Sequence, residues 1–266
     1  MKLGIIGKGF VGSAVSDGFK DQVDQYIVDP VYNDNTIKYL VEEHNPPVIF
    51  ICVPTPEGHR GDVDVGIVRQ VLSELANLRY KGVAVIKSTI TPNHLTKMKK
   101  DFDLKMVYNP EFLTEANASN DFINPNMQVL GGKWRDCDVV EKMYVRHSNV
   151  KTVPTFKVDL ITASLIKYTI NSWLATKVTF FNELYELFQN SNSHSSWEQF
   201  TDILKCDPRI GNSHMNVPGP DGKFGFGGHC FPKDTKALLY FAESNNTEMS
   251  ILGNAVKQNK KHRKKS

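Results

Sequence analysis

The chain has 266 residues, 40% hydrophobic and 10% aromatic, which suffices for one large or two modest domains and excludes global disorder. The formal charge is +3, but six of the 32 Lys and Arg fall in the last ten residues, KQNKKHRKKS, which hold no acid. That end is expected as a solvated basic tail, 257–266, with a phosphate or nucleic-acid patch as the alternative, and the rest of the chain is slightly acidic. Cys52, Cys137, Cys206 and Cys230 are far apart with no CxxC pair, which argues against a metal site or a disulfide framework. The amino terminus reads as a strand and not as a signal peptide, and no run of about 18 uncharged apolar residues occurs, so a reduced, cytoplasmic setting without a membrane partner is expected.

Residues 2–6 are a short apolar run that stops at GKGFVG. Gly7, Gly9 and Gly12 fit G-x-G-x-x-G, with Phe10 and Val11 between them, and the apolar residues that follow recur at helical spacing. A strand–glycine loop–helix unit of this kind seats a pyrophosphate at the positive end of the helix. A second strand, QYIVD, ends in Asp29, 17 residues past Gly12, where a carboxylate binds the adenine ribose; an acid there repels a 2′-phosphate, so NAD is expected and not NADP. Strands at 47–54, 82–89, 105–112 and 126–132 alternate with helices at 65–78 and 92–100, which predicts an α/β fold, a Rossmann-type doubly wound parallel sheet, over 1–157. Ligands of such sheets lie at the carboxyl ends of the strands, which draws attention to VPTPEG with Thr55, KSTITP with Thr89, and NPEFLTEA with Glu111, Phe112, Leu113 and Glu115. Ordinary turn chemistry accounts for such loops equally well.

Residues 159–190 form one long helical pattern whose apolar residues circle the helix, which predicts burial on most sides, in a core or a subunit interface. Lys167 and Asn171 are i and i+4 and share a face; the lysine is either snorkelling to solvent or paired and used. A small helical domain, 158–256, completes the chain before the tail. It contains GFGGHCFPKD, where Cys230 lies just before a helix start that favours thiolate, with Lys233 and Asp234 alongside. A buried small hydrophobe is the alternative reading of that cysteine.

GKGFVG, KSTITP, NPEFLTEA, LIKYTINSWLATKVTFFNEL, DPRIG and GFGGHCFPKD, in this order, resemble the UDP-glucose/GDP-mannose dehydrogenase family over nearly the whole chain. The resemblance implies NAD-dependent, metal-free, four-electron oxidation of a nucleotide-sugar alcohol to a carboxylate, UDP-glucose to UDP-glucuronate being the leading case. It implies Cys230 as nucleophile, through a thiohemiacetal and a thioester, and Lys167 and Asn171 as donors to the developing oxyanion. Thr89 and Asp234 would hold the catalytic water, Asp234 or its water acting as base, and Glu111 would serve hydrolysis. Glu115 would lie near nicotinamide and sugar. Phe112, Leu113, Phe224, Gly227 and Lys233 would line the sugar site, and Arg209 would reach the substrate of the other subunit of a homodimer; nucleic acid is not expected as a partner.

One departure stands out. Family members usually carry a further nucleotide-binding domain, and this chain ends about thirty residues past the cysteine motif, so the first two domains and a weak grip on the nucleotide are expected. Two other readings remain: an NAD-binding subunit without turnover of its own, and a 3-hydroxy acid dehydrogenase, which has a similar first domain but no nucleophilic cysteine.

Overall fold

The computed structural model describes residues 1–114 and 117–265. Its backbone divides into two compact units, one made of Met1–His59 with Val63–Lys167, the other of Arg60–Asp62 with the chain from Tyr168 onward.

The first unit is built on a seven-stranded sheet: β1 (Lys2–Ile6), β2 (Asp24–Val28), β3 (Val48–Ile51), β4 (Val83–Ile86), β5 (Lys105–Tyr108), β6 (Gln128–Gly132) and β7 (Thr155–Val158), in the order β2-β1-β3-β4-β5-β6-β7. The helices between them are α1 (Phe10–Gly18), α2 (Ile37–Tyr39, continued by a π turn over Leu40–His44), α3 (Gly66–Asn77), α4 (Pro92–Asp101), α5 (Ala118–Ile123) and α6 (Trp134–His147). Side chains alternate across the sheet. Ile49, Ile51, Ala84 and Ile86 pack with Val68, Leu72 and Leu75 of α3 and Leu95 of α4. Leu3, Ile5, Phe50 and Val85 pack on the other face with Val15 of α1, Phe122 of α5 and Val140 of α6. All four residues of β3 and of β4 are buried, as in a sheet covered on both faces. Each such side chain stabilises the fold by about 1.5–3 kcal/mol, so no single one decides it.

The sheet is the expected doubly wound, mainly parallel one, with one strand reversed and one more strand than expected. β6 runs antiparallel to β5, pairing Val107 with Gly132, and a seventh strand, β7, pairs parallel with β6. The physical reason lies in the connections. A parallel crossover needs a dozen or more residues traversing the sheet. The 19 residues between β5 and β6 are enough for a crossover, but among the described ones only the six of α5 are helical and the chain turns back, whereas the fourteen residues of α6 carry it from β6 to β7.

The second unit consists of the greater part of α7 (Leu160–Asn190), then α8 (Trp197–Lys205), α9 (Cys230–Ser244) and α10 (Ser250–His262). α8 starts on a reciprocal cap, Ser196 accepting from the Gln199 amide while the Gln199 side chain accepts from Ser196 N–H. Phe181, Trp197, Met215 and Val217 form its core, with Tyr185, Phe188, Phe200 and Phe224 packed around them. The buried positions of α7 are in good part polar, among them Ser164, Lys167, Asn171, Thr179 and Asn182, while Trp173, Phe180 and Leu187, spaced by seven, are exposed. That split is why the apolar residues circle the helix in sequence: some line the core and some face outward. The basic end is not a loose tail, since 257–262 continues α10, with Asn259 and His262 buried.

Candidate active site

The glycine loop follows β1. The Gly7 amide donates to Val28 O at 2.9 Å, which ties the loop to the end of β2. A Cβ on Gly12 would lie 1.9 Å from the Gly7 carbonyl oxygen, so helix and loop approach as closely as glycine alone permits. A Cβ on Gly9 would meet nothing within 4 Å, and no side chain caps α1. Open space therefore lies before first-turn amides, the arrangement a pyrophosphate requires. Asp29 directly follows β2, and its carboxylate accepts from Lys8 N (2.6 Å) and Val31 N (2.8 Å), beside the loop as its spacing predicted. Phe10 is exposed and Val11 half-buried; Thr55 is buried after β3, and Thr89 is half-buried after β4. β1 and β3 are the strands at which the order reverses, where ligands of doubly wound sheets bind.

Past β5 the same unit holds a buried ion pair. Glu111 Oε1 accepts from Lys167 Nζ at 3.0 Å and Oε2 from Leu113 N at 2.6 Å; the Phe112 ring centroid lies 5.5 Å from Lys167 Nζ. Lys167 is 2% exposed, so it is paired and does not snorkel. Burial works to raise the Glu111 pKa, but Lys167, the Leu113 amide and Lys87 outweigh it and hold the carboxyl below the usual range. Lys87 and Asn109 are polar residues that sequence reasoning passed over. Lys87 Nζ donates to Asn109 Oδ1 (3.1 Å), which also accepts from Tyr144 OH (2.8 Å). Burial pushes the Lys87 amine down to about 8, with Cys52 and Glu111 acting to raise it and Lys167 to lower it. A lysine directly after a wholly apolar strand was the available signal. Glu115 lies outside the described residues.

In the second unit Cys230 is half-buried and is the first residue of α9, at its positive end. Asp234, one turn on and 1% exposed, accepts from Asn171 Nδ2 at 2.6 Å and from Lys233 Nζ at 2.5 Å. The Lys233 charge is thus engaged by Asp234. Arg209 is 87% exposed in its side chain and forks onto Asp207 at 2.5–3.2 Å. Phe224 belongs to the aromatic packing, its ring 6.1 Å from that of Tyr185, and Gly227 lies against the Arg263 guanidinium.

A doubly wound sheet with an uncapped glycine loop, followed by a helical unit with a cysteine at a helix start, defines a dinucleotide-dependent dehydrogenase fold. Residues 32–148 match the NAD binding domain of the UDP-glucose/GDP-mannose dehydrogenase family, and residues 161–261 match its central domain. The chain belongs to that family, and NAD is its cofactor. UDP-glucose 6-dehydrogenase of Rickettsia conorii is 32% identical over 252 residues, which are 91% of this chain and 56% of that protein. GDP-mannose 6-dehydrogenase of Pseudomonas aeruginosa is 31% identical over 229 residues, 80% of this chain and 50% of that one. The chain thus spans about half the length of the curated relatives it matches. Among solved structures, a UDP-glucose dehydrogenase from the hyperthermophilic archaeon Pyrobaculum islandicum superposes with a TM-score of 0.79 at 25% identity, covering 97% of this chain and 68% of that one. Family membership disfavours the 3-hydroxy acid dehydrogenase reading. Among the described residues no helix is long and apolar enough to cross a membrane.

Proposed function

We propose that this chain contains the NAD-binding and catalytic portions of a nucleotide-sugar 6-dehydrogenase, with UDP-glucose oxidised to UDP-glucuronate as the leading case. In this reading 1–157 binds NAD, 158–256 carries the thiol and 257–266 is its basic end. The observation that carries it is the start of α9, which presents a thiol one turn ahead of a buried carboxylate held by Asn171. Gly7, Gly9, Phe10, Val11 and Gly12 would hold the pyrophosphate, Asp29 the ribose, and Thr55, Thr89 and Glu115 the nicotinamide side. NAD⁺ supplies a hydride acceptor for each of the two oxidations.

The chain's own residues do the rest. Asp234, or a water held by it and Thr89, takes the C6 hydroxyl proton as the alcohol becomes an aldehyde. Cys230 Sγ adds to the aldehyde carbon; the carbonyl oxygen becomes an oxyanion, for which Lys167 and Asn171 are the donors. Loss of the second hydride leaves a thioester, and water, aided by Glu111, cleaves the C–S bond to give the carboxylate and return the thiol. The thiol thus retains an aldehyde that would otherwise diffuse away. Phe112, Leu113, Phe224, Gly227 and Lys233 are assigned to the sugar. The exposed Trp173, Phe180 and Leu187 support a homodimer along α7, in which Arg209 serves the neighbouring site. Four cysteines without a disulfide accord with a cytoplasmic setting.

A panel of UDP- and GDP-sugars with NAD⁺, followed at the NADH absorbance, tests the reading. Two NADH per sugar and no acid from Cys230→Ala are expected. Acid formation by Cys230→Ala at the wild-type rate overturns it, as does a chain that binds NAD⁺ but oxidises no nucleotide sugar. A single 30 kDa species in the ultracentrifuge at micromolar concentration overturns the dimer.

A further inference from the structure

Cys230 follows residues 219–229, a glycine-rich stretch that reads as flexible in sequence but is held at several points within the second unit. At its start Gly219 N donates to Lys223 O (2.8 Å), and Asp221 accepts from Arg263 Nη1 (2.6 Å). Gly225 N donates to Asn182 Oδ1 of α7 (2.9 Å), while the Asn182 amide donates to Val178 O (2.8 Å). Asn259 of α10 brackets the next residue: its Oδ1 accepts from Phe226 N (2.7 Å) and its Nδ2 donates to Phe226 O (2.9 Å). Asn259 is 7% and Phe226 4% exposed, so water does not readily replace these bonds. Gly225 has φ +72°, and a Cβ there would lie 2.3 Å from Asn259 Oδ1. That glycine is present because α10 packs onto the loop's backbone, and the loop is correspondingly rigid.

We propose that Asn259 is a positioning residue for Cys230. Together with Asn182 it sets the backbone four residues ahead of the thiol, which makes the basic carboxyl-terminal helix part of the thiol's apparatus. Its cations are partly committed: Arg263 pairs with Asp221 and Lys265 with Glu186. The inference rests on Cys230 being the nucleophile proposed above.

The test labels the chain with limiting iodoacetamide and reads the Cys230:Cys206 alkylation ratio by mass spectrometry, with the exposed Cys206 as internal reference and the buried Cys52 and Cys137 as reporters of unfolding. Asn259→Asp keeps an acceptor for Phe226 N and loses the donor to Phe226 O; Asn259→Leu loses both. The ratio is expected to move at least about threefold in the first variant and further in the second, with Cys52 and Cys137 still protected and NAD⁺ affinity unchanged. An unchanged ratio in the folded variants overturns the proposal. So does a shift accompanied by labelling of Cys52 and Cys137, or failure of both variants to melt cooperatively, because Asn259 is then a fold-stabilising residue only. A graded shift alongside a fully active Cys230→Ala would leave the loop geometry standing and sink the functional reading.

Discussion

Each unit buries a carboxylate that draws a partner from α7, Glu111 in the first and Asp234 in the second, but the two are held by different means. In the first, Glu111 faces the Lys167 ammonium with Lys87 nearby, so a negative charge is set against two cations with little water. In the second, Asp234 takes a neutral amide from Asn171 and an ammonium from Lys233, whose side chain is 18% exposed. The difference teaches where stability and chemistry separate. A buried carboxylate whose one direct ion pair is itself buried is structurally unforgiving. A carboxylate held by an amide and a partly solvated lysine loses less when one partner is removed, which would suit the proton-accepting role proposed for Asp234.

The sharpest way to break that comparison is Lys167→Met, which strands Glu111 without its ion; a loss of about 3–5 kcal/mol in urea unfolding is expected, with most of it restored by adding Glu111→Gln. A loss below about 1 kcal/mol would show that the pair is solvated and that the two sites do not differ.

The next effect concerns Lys87. Its folded pKa, lowered to about 8, lies below its unfolded value, so between about pH 8 and 10.5 the unfolded chain holds a proton that the folded chain has released. Stability from this group therefore rises with pH across that window, by roughly 3 kcal/mol. Cys52 acts in the opposite sense, since burial pushes its thiol up to about 12 and its contribution is lost above about pH 9. Because the two groups interact, the comparison is made in a Cys52→Ala background: there Lys87→Met should be relatively more stable at neutral pH and lose that advantage by about pH 10.5. A pH-independent difference would refute the burial of an ionisable amine.

Asp234→Asn should cost only about 1–2 kcal/mol of stability while acid formation falls roughly 10²–10⁴-fold. The reverse order, a large stability loss with chemistry intact, would make Asp234 structural. Arg209→Ala marks the small end: its side chain is exposed, so the melting temperature should stay unchanged, and any loss of turnover should be complemented in mixed dimers by a subunit that retains Arg209.

The amino-terminal unit was largely legible. Gly7, Gly9, Gly12 and Asp29 announce themselves by spacing because the glycine loop is local in sequence, and β3 and β4 are continuous apolar runs because both sheet faces are covered there. Lys167, Asn171, Cys230 and Asp234 were legible as residue types in recognisable motifs. The partners that give them their character were not. Glu111 lies 56 residues from Lys167 and Asp234 lies 63 from Asn171, and no periodicity encodes such pairings.

What the sequence by itself determined is the local chemistry: a glycine turn between strand and helix, an acid closing the second strand, a thiol at a helix start, and one long helix over 160–190. These follow from φ/ψ preferences and short-range periodicity, which a linear pattern carries. Only the tertiary structure decided the reversed direction of β6, since strand polarity leaves no trace in the alternation of side chains. It alone showed that the basic end is a helix with Asn259 turned onto the cysteine loop, so that a glycine-rich stretch read as flexible is clamped. Flexibility and rigidity at glycine share one sequence signature, and the distinction rests on what packs against the missing Cβ.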